Sequence, residues 1–427
     1  MAPRHEQADV TLPGSPAADA KVATLARSAC DAADSLAQAP EQSINAALTG
    51  MAGNLRAAAA DVLAANHRDL ATAQASGLSA AMCDRLRLDD DRLDVLARQL
   101  RLLAEAPAPP RDTELRRLDG GLRLVERRRP VGVIGANFEA RPNVTVDVAS
   151  QLVKSRNGGV LRTGAAALGS SQALHRLVIR PALAGAGLDD RAIQLIDEGD
   201  REFARALVRQ PGLIPLVIIR GSGETTRSLA LEGARHGVRT MAHADGGGVL
   251  YVDAAADHAL ATRLLITGLD RLAVCNRVNL VLVAEPIYGT IVPAFVRALA
   301  EIGVTASLPP HSRPLGYEWA LDAGHEANVT VSPVADVSHA ATVANQETSG
   351  LVATVVTEDA AAARQFIDRY QGTGVFWNSS SRLLDGFKLH QIPETGINLD
   401  RVPGPRGPVT FRDLYLRQYV VLPPDAR

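Results

Sequence analysis

The chain has 427 residues, of which 46% are hydrophobic and 22% are charged, as is typical of a globular protein long enough for two or three domains. Its 45 basic and 47 acidic side chains nearly cancel, which excludes a general attraction to nucleic acid or to an anionic membrane surface and favours a small-molecule ligand. Its three cysteines are too few and too scattered for a disulfide framework or a zinc site.

Residues 1–18 are rich in proline, alanine and charged residues without periodicity, so we predict that they are disordered. The sequence has no apolar signal segment and no run of about twenty apolar residues that would span a membrane. With so few cysteines, this pattern predicts a cytoplasmic protein. His243, His311 and His390 are too dispersed to form a metal site, so no metal is predicted.

Residues 18–106 carry a helical pattern, with apolar residues three and four positions apart. The clearest helical stretches are 57–70, 84–88 and 93–104. The sequence APAPP at 106–110 should end the last helix, because proline lacks a backbone donor and fixes φ.

A β-hairpin is predicted over residues 114–128. Two short apolar segments flank Asp119-Gly120-Gly121, and glycine tolerates the positive φ that a tight hairpin turn requires. The pattern alone is compatible with an ordinary hairpin that packs on its own domain.

The stretch from Pro130 to Ser171 reads as a strand, a turn, a helix and a second strand. Its apolar runs at 131–135 and 159–161 are short and bounded by glycine, as buried parallel strands are. A polar crossing from Asn137 to Asn143 follows the first strand. Open α/β sheets bind their ligands at this carboxyl edge, so we expect a binding site there.

Strand and helix patterns then alternate, which predicts a doubly wound parallel sheet followed by a second α/β block. The elements of the first block lie at 192–195, 204–209, 216–219 and 225–233, and a further strand at 249–252 opens the second block. The other elements of the second block, which ends near residue 378, lie at 278–283, 291–302, 353–356 and 360–370. A segment rich in proline and glycine and a last apolar strand at 419–422 close the chain.

Two motifs carry a resemblance to a known family. One is IGANFEARPNVTVD at 134–147, followed by an apolar helix and VLRTG, and the other is Val274-Cys275-Asn276. Together they resemble the γ-glutamyl phosphate reductases (glutamate-5-semialdehyde dehydrogenases) of the aldehyde dehydrogenase superfamily, and the likeness runs from about residue 43 to about residue 421.

The resemblance implies an aldehyde dehydrogenase-like α/β fold in three parts. The expected parts are a doubly wound parallel-sheet cofactor domain that binds NADP(H), 19–248, a second α/β catalytic domain, 249–385, and a small β oligomerisation extension formed by the hairpin 114–128 and the C-terminal segment 386–427. A homo-oligomer is therefore implied, as is a transient contact with the kinase that makes the acyl phosphate.

The resemblance also implies a reaction. The family reduces L-glutamyl 5-phosphate with NADPH to the semialdehyde and phosphate through a cysteine thioester, as in proline biosynthesis. The nucleophile would be Cys275, because a thiolate is the strongest common side-chain nucleophile, and backbone N–H groups at Cys275 and Asn276 would stabilise the oxyanion. Without the motif, a lone cysteine after Leu-Ala-Val is more often a core residue.

The predicted cofactor contacts lie around the first helix and second strand of the 130–171 unit and in a later glycine-rich turn: Lys154, Ser155, Arg162, Thr163, Gly164, Gly221 and Gly223. Arg162 suits the 2′-phosphate of NADP because its charge is permanent and its donors are forked. The turn suits a phosphate at a helix N-terminus. An arginine in solvent and a plain turn are the ordinary alternatives.

The predicted substrate contacts are Glu139, Arg141 and Asn143 of the EARPN segment, and Glu394 of ETGIN. Arg141 is suited to hold a carboxylate or phosphoryl group through two hydrogen bonds. Alternatively, it braces its loop through Glu139.

Several positions depart from the family pattern. A polar pair has become Leu351-Val352, a glutamate has become Asp245, and Val249 replaces a histidine. After the Cys-Asn pair, Arg277 and Asn279 stand where the family usually has a small residue and a glutamate. Losing buried polar groups changes which substrate is selected. Three alternatives therefore stay open: a paralogue that reduces another amino-acid-derived acyl phosphate, a hydrolytic aldehyde dehydrogenase with Asp245 as base, and a catalytically silent protein that binds nucleotide or a partner.

Overall fold

The computed structural model describes residues 15–139, 141–221, 223–243, 246–272, 274–322, 324–400 and 404–426, without the side chains of residues 81 and 243. Of the segment predicted to be disordered, residues 1–14 lie outside these ranges, but the prediction is wrong for residues 16–18, which form the first turn of a helix. The helix begins there because the Ser15 side chain accepts a hydrogen bond from the Ala18 N–H and Pro16 occupies the first helical position.

Helices fill the N-terminal part of the chain and alternate with strands after it. The α-helices of the described residues are α1 (Pro16–Gln38), α2 (Glu41–Ala57), α3 (Ala59–Ala75), α4 (Ala80–Leu86), α5 (Asp90–Glu105), α6 (Asn143–Lys154), α7 (Leu168–Leu174), α8 (Arg180–Gly185), α9 (Glu202–Leu207), α10 (Gly223–Arg235), α11 (His258–Thr267), α12 (Glu285–Glu301), α13 (Val337–Glu347), α14 (Ala360–Arg369) and α15 (Gly386–His390). The β-strands of the same residues are β1 (Asp112–Arg117), β2 (Arg123–Pro130), β3 (Val133–Phe138), β4 (Gly158–Thr163), β5 (Ile193–Leu195), β6 (Leu216–Arg220), β7 (Arg239–His243), β8 (Gly248–Val252), β9 (Val278–Ala284), β10 (Thr305–Ser307), β11 (Asn328–Val334), β12 (Val352–Val356), β13 (Gly374–Trp377), β14 (Gly396–Asn398), β15 (Gly407–Val409) and β16 (Tyr415–Leu422). Among these helices, none is both long enough and apolar enough to cross a membrane.

The helical pattern predicted for residues 18–106 is confirmed as helices α1 to α5. The last helix ends at Glu105, immediately before the APAPP segment, as predicted. Leu48 of α2 and Leu100 of α5 are buried in one core cluster that also covers a face of the first sheet. Helices α2, α3 and α5 therefore form a layer on one face of the first sheet, whereas α1 packs mainly on the other face.

The first sheet is parallel, and its described strands have the order β5-β4-β3-β6-β7. Ile134 and Leu161 pack with the helices of one face, whereas Val133 and Val160 pack with α1 and α9 on the other. The predicted doubly wound parallel sheet is confirmed. The pattern misses the edge strand β7, because its sequence RTMAH contains few apolar residues.

The second sheet is also parallel, and its described strands have the order β10-β11-β9-β8-β12-β13. Leu250 faces the core under α11 and α12, and Val249 and Tyr251 face the core under α13 and α14. The predicted second α/β block is therefore confirmed. The domain limits 19–248 and 249–385 stay predictions.

The predicted hairpin is confirmed as β1 and β2, and its turn contains Gly120 at φ +73° and Gly121 at φ +76°. Strand β16 adds a third antiparallel strand on the other side of β2, with Val421 opposite Leu124. The C-terminal segment therefore joins the hairpin in one small sheet, although most of the chain separates them in the sequence.

The carboxyl edge of the first sheet faces the amino edge of the second across a cleft. Glu139 and Arg220, at the carboxyl ends of β3 and β6, line this cleft from one side. Gly246 and Cys275, which precede β8 and β9, line it from the other. The topology thus delivers residues of both sheets to one site.

Candidate active site

Cys275 lies on the turn that leads into β9 and is half-buried. Its carbonyl oxygen accepts a 2.7 Å hydrogen bond from the Gly247 N–H, just before β8. Ser349, just before β12, donates its hydroxyl to the Gly246 carbonyl at 3.1 Å. Because β9, β8 and β12 are neighbours in the second sheet, three adjacent strand entries hold the position of the thiol.

Gly246 packs directly against Cys275. A Cβ atom on Gly246 would lie 2.6 Å from Cys275 Cα and 2.7 Å from its carbonyl oxygen, closer than real Cβ atoms approach other heavy atoms. Gly247 has φ +100°, which favours glycine, and a Cβ there would lie 2.7 Å from Glu318 Oε2. The glycines therefore allow the segment before β8 to contact both Cys275 and the Glu318 carboxylate.

Two cavities meet at Cys275. The small cavity, of about 620 Å³, extends along Gly221, Gly246 and Glu318. The large cavity, of about 1300 Å³, extends towards Glu394. Six residues line both cavities: Arg85, Arg141, Val144, Arg220, Val274 and Cys275. The thiol therefore lies where two ligands can approach it from different directions.

Arginine side chains make the junction of the cavities electropositive. Arg85 of α4 contacts Glu139 at 3.4 Å, and Arg271 pairs with Asp84 at 2.7 Å. Burial, and then repulsion from Arg85 and Arg220, lowers the pKa of Arg141. Such mutual repulsion is relieved when an anion binds between the guanidinium groups.

Carboxylates line the large cavity beyond the arginines. Burial raises the pKa of Asp147 to about 7, with Asp385 adding to the increase. Burial likewise raises the pKa of Glu394 to about 7, again with Asp385 contributing. The Asn143 side chain donates to Asp147 Oδ2 at 2.9 Å, and the Gly386 N–H donates to Glu394.

The structure thus brings the predicted residues Cys275, Glu139, Arg141, Asn143 and Glu394 together around the two cavities. Asn276, the second predicted catalytic residue, also lines the large cavity. The role predicted for its backbone N–H stays a prediction, and its side chain is held by two hydrogen bonds. Its Nδ2 donates to the Leu384 carbonyl at 2.9 Å and its Oδ1 accepts from Arg382. Asn276 therefore braces the nucleophile turn against the C-terminal segment.

Arg162, Thr163 and Gly164 lie at the carboxyl end of β4, on the edge where a nucleotide is expected. The Arg162 guanidinium donates to the carbonyls of Gly199 at 2.8 Å and Asp200 at 3.1 Å. Among the described residues, Arg162 Nε and Thr163 Oγ1 are buried without a hydrogen-bond partner. Arg162 and Thr163 therefore retain unused hydrogen-bonding groups at this edge of the sheet.

The predicted glycine-rich turn leaves the carboxyl end of β6. Gly221 lines the small cavity, and Gly223 begins helix α10, whose N-terminal N–H groups suit a phosphate. A Cβ on Gly221 would lie 3.4 Å from Glu139 Oε1, so the turn passes close to the EARPN segment.

Lys154 and Ser155 do not reach this edge. The Lys154 ammonium is fully buried and contacts Glu41 and Asn45, each at 2.8 Å, while the Ser155 hydroxyl donates to the Gln151 carbonyl. In a β-α-β unit the helix runs back antiparallel to its strands, so the C-terminal end of α6 lies at the amino edge of the sheet. The structure therefore assigns these two residues to packing.

The departures from the family pattern have separate structural roles. Arg277 is fully buried and donates to the carbonyls of Glu326 and Asn328, and Asn279 donates to the Tyr317 carbonyl at 2.6 Å. Both residues therefore hold the 317–328 segment and face away from the thiol. Asp245 lies outside the described residues.

Leu351 and Val352 do lie beside the nucleophile. They form a buried apolar cluster with Leu384 and Ile397, and Cys275 packs against that cluster. The apolar wall expected from the sequence is therefore in contact with the thiol, whereas Val249 is buried in a core of the second sheet.

Several charged residues of the site were not predicted from the sequence, among them Arg85, Arg220, Glu318, Asp147 and Asp385. Arg220 ends a strand immediately before a glycine-rich turn, and Asp147 belongs to the IGANFEARPNVTVD motif, so both carried a usable signal. Arg85 reaches the site from a helix that lies far from Cys275 in the sequence, and no local pattern marks it.

Comparisons with known proteins agree with this architecture. A family model described as the aldehyde dehydrogenase family matches residues 1–313. A γ-glutamyl phosphate reductase of Xanthomonas axonopodis pv. citri (strain 306) is 35% identical over 409 residues, which cover 94% of this chain and 98% of that protein. The crystal structure of γ-glutamyl phosphate reductase from Thermotoga maritima has a TM-score of 0.83 and 27% identity, covering 94% of this chain and 98% of that chain. An engineered glycolyl-CoA reductase with bound NADP+ shares the fold, with a TM-score of 0.73, 14% identity, and coverage of 94% and 96%.

Proposed function

The chain belongs to the aldehyde dehydrogenase family and, within it, to the γ-glutamyl phosphate reductases, and from that premise we propose that it reduces an acyl phosphate to an aldehyde with NADPH. The family substrate is L-glutamyl 5-phosphate, and proline biosynthesis is the corresponding pathway. The observation that carries the proposal is the position of Cys275 at the junction of two cavities, between arginines that line both.

The reaction begins when the Cys275 thiolate attacks the acyl carbon. A carbon–sulfur bond forms, the carbon–oxygen bond to the phosphoryl group breaks, and phosphate departs with that electron pair. The thioester carbon then accepts a hydride, and its oxygen accepts a proton from solvent. When the carbon–sulfur bond breaks, the hydroxyl proton is lost, and aldehyde and free thiol are released.

The residues at the first sheet fit a dinucleotide cofactor, whose nicotinamide supplies the hydride when bound. The helix N-terminus at Gly223 would receive the pyrophosphate. The Arg162 guanidinium and the Thr163 hydroxyl, with their unused polar atoms, would hold the ribose and its 2′-phosphate. Burial, and then repulsion from Arg201, lowers the pKa of Arg162, while Asp200 opposes the decrease. A bound 2′-phosphate would stabilise the buried guanidinium group, so NADP rather than NAD is the proposed cofactor.

The arginines at the cavity junction would bind the phosphoryl group. Arg85, Arg141 and Arg220 approach Cys275 from α4, the EARPN segment and β6. A phosphate dianion offers several acceptors, and a guanidinium group binds it through paired hydrogen bonds. The cluster would thus orient the acyl phosphate and stabilise the departing charge.

The first experiment measures NADPH formation from NADP with glutamate 5-semialdehyde, with and without phosphate. We expect turnover that requires phosphate and is lost in Cys275→Ala, whereas Cys30→Ala, remote from the cleft, retains it. Intact turnover in Cys275→Ala contradicts the mechanism. If there is no turnover, the rate at which Cys275 is alkylated separates two explanations. Rapid alkylation that NADPH slows would indicate an enzyme that acts on another acyl phosphate, whereas slow alkylation would favour a catalytically silent paralogue.

A second experiment tests the arginine cluster. Loss of a charged hydrogen bond costs about 1.5–3 kcal/mol, so Arg85→Gln should raise the KM for phosphate about 10- to 100-fold. The matched control is Arg68→Gln on the exposed surface of α3. An unchanged KM for phosphate in Arg85→Gln would show that Arg85 does not contribute to phosphate binding.

A hydrolytic aldehyde dehydrogenase is the second candidate function. Such an enzyme requires a base that activates water. Glu318 lines the small cavity together with Cys275, so a carboxylate is present on that side of the thiol. Oxidation that yields a free acid without phosphate, and that is lost in Glu318→Gln, would favour this function.

The three-stranded sheet is the proposed contact with a second copy of the chain. Tyr419 and Val421 of β16 are 59% and 50% exposed, and the outer edge of β16 carries no strand in the described residues. An identical edge on a second copy can pair with it about a two-fold axis. Sedimentation of Tyr419→Lys should show a shift towards monomer. The contact with the kinase stays a prediction.

A further inference from the structure

We propose that Asp84 is a positioning residue that bridges the cleft: its carboxylate connects helix α4 to the segment that carries Cys275, and so sets the distance between the arginine cluster and the thiol. The inference rests on the proposed function, because it concerns the step in which phosphate and the acyl group meet. Asp84 is not among the described residues that line the two cavities, so it acts through its neighbours.

Helix α4 is fixed to the helices that pack on the first sheet. The buried Asn66 side chain of α3 donates to the Leu86 carbonyl at 2.9 Å. The Arg92 guanidinium of α5 donates to the Asp84 carbonyl at 2.7 Å and to the Asp84 carboxylate at 2.6 Å. The backbone of α4 therefore belongs to the side of the first sheet.

The Asp84 carboxylate also reaches the other side of the cleft. While Oδ1 accepts from Arg92, Oδ2 accepts from Arg271 Nη2 at 2.7 Å. Arg271 lies four residues before Cys275, between α11 and β9 of the second sheet. One carboxylate thus joins an arginine from each side of the cleft. The residue that follows it in the sequence is Arg85, which lines both cavities.

The segment between α11 and β9 contains neither helix nor strand among its described residues, so side-chain contacts contribute to its position. Asp270 pairs with Arg382 at 2.7 Å, shortly before α15. The next residue, Arg271, pairs with Asp84. The first pair ties the segment to the region before α15, and the second ties it to α4.

The position of α4 matters when phosphate meets the acyl group. In aldehyde oxidation the thiolate adds to the aldehyde carbon and a hydride passes to NADP, which leaves a thioester. A phosphate oxygen then bonds to the acyl carbon as its proton passes to solvent, the carbon–sulfur bond breaks, and the thiolate is released. The second half requires Arg85 to hold phosphate at a fixed distance from the thioester, whereas the first half does not.

The charge of Asp84 allows its positioning role to be distinguished from a purely electrostatic one. Burial alone would raise the pKa of Asp84, but hydrogen bonds from Arg271 and Arg92 outweigh it and lower the pKa, so the carboxylate is ionised at neutral pH. A negative charge beside the arginine cluster weakens its attraction for an anion. By charge alone, removing the carboxylate would therefore lower the KM for phosphate, whereas loss of a positioning bond would raise it.

The test measures the two halves of the reaction separately in Asp84→Asn. With glutamate 5-semialdehyde and NADP but without phosphate, the burst of NADPH reports thioester formation and should keep its native rate. With phosphate, the KM for phosphate should rise about two- to fivefold, as is typical when an exposed ion pair is lost. In an Arg271→Gln background, Asp84→Asn should no longer raise this KM.

Two controls accompany these variants. Asp84→Glu keeps the carboxylate and should stay closer to the native KM for phosphate than Asp84→Asn. Asp190→Asn removes a partly exposed 2.6 Å ion pair with Arg180, and neither partner is among the described residues that line the cavities, so it should retain the native KM.

A KM for phosphate that is unchanged or lowered in Asp84→Asn would overturn the proposal. So would an equal rise in the Arg271→Gln background, because Asp84 would then act within α4 alone. A burst slowed as much as the steady state would also overturn it, because the thiol itself would be disturbed.

If the native protein shows no turnover, the proposed function fails, and alkylation of Cys275 by iodoacetamide with inorganic phosphate as competitor then tests the bridge directly. Half-protection of Asp84→Asn at a phosphate concentration about two- to fivefold higher than in the native protein supports the proposal. Equal protection of the two proteins, or no protection of the native protein, contradicts it.

Discussion

Replacing Gly246 by alanine should disable the nucleophile without unfolding the protein. The new Cβ would lie 2.6 Å from Cys275 Cα, so that atom would have to withdraw by about 0.8 Å to reach the 3.4 Å at which ordinary contact begins. The nearest neighbours of that Cβ are backbone and Cβ atoms of Cys275, which cannot move aside as the end of a flexible side chain can. A misplacement of about 1 Å lowers turnover on the order of 100-fold.

The assay is phosphate-dependent NADPH formation together with the melting temperature of each variant. Gly289→Ala is the matched control, because Gly289 is exposed on α12 and a Cβ there meets nothing within 4 Å. We expect the control to retain activity and to gain about 0.5–1 kcal/mol of stability from the higher helix propensity of alanine. Native turnover in Gly246→Ala would refute the close packing of Gly246 against Cys275.

Three further predictions concern buried charges. Lys154→Met should lower the free energy of unfolding by about 1–3 kcal/mol, because Glu41 and Asn45 lose the buried ammonium group and Glu41 keeps only Arg156 as its cationic partner. The KM for NADP should be unchanged, and a raised KM would indicate that Lys154 contributes to the cofactor site. Arg277→Met should lower the free energy of unfolding, measured with urea, by about 1–3 kcal/mol, because the carbonyls of Glu326 and Asn328 lose their donor. A loss below about 0.5 kcal/mol would contradict that bracing role. Burial raises the pKa of Asp147 from 3.8 to about 7, so the folded state binds more protons between these values and stability falls as pH rises through them. Asp147→Asn should therefore lose less stability than the native protein between about pH 4 and pH 8 in urea unfolding, and equal losses would contradict the shift.

The fold and the position of Cys275 in the cleft could be predicted from the sequence because their signals are local. The apolar runs of β3 and β4 and the Val-Cys-Asn segment are each contained in a few consecutive residues. Lys154 and Ser155 could not be placed by proximity in sequence to Arg162, because α6 carries them to the opposite edge of the sheet. A crossover helix runs antiparallel to the two strands that it connects, and this general rule separates the end of α6 from the carboxyl end of β4.

The position of Arg85 in the cleft could not be predicted from sequence patterns. It lies on a seven-residue helix in the N-terminal layer, and it reaches the cleft only because that layer packs on the first sheet. The roles of Arg277 and Asn279 likewise depend on contacts with residues 317–328. Their position next to the nucleophile suggested a change in the active site, whereas their side chains stabilise the strand entry behind it.

The two sheets contribute different parts of the site, and this division explains how the departures at residues 351 and 352 are accommodated. The second sheet delivers the thiol, and Leu351 and Val352 exclude water from one side of it. In a drier site, the attraction between the arginines and an anionic ligand is stronger, because less water screens it. The arginines proposed to bind the phosphoryl group come from α4, from the end of β6 and from the segment before α6, on the side of the first sheet. An apolar substitution on the side of the second sheet can therefore leave the proposed recognition of the phosphoryl group intact.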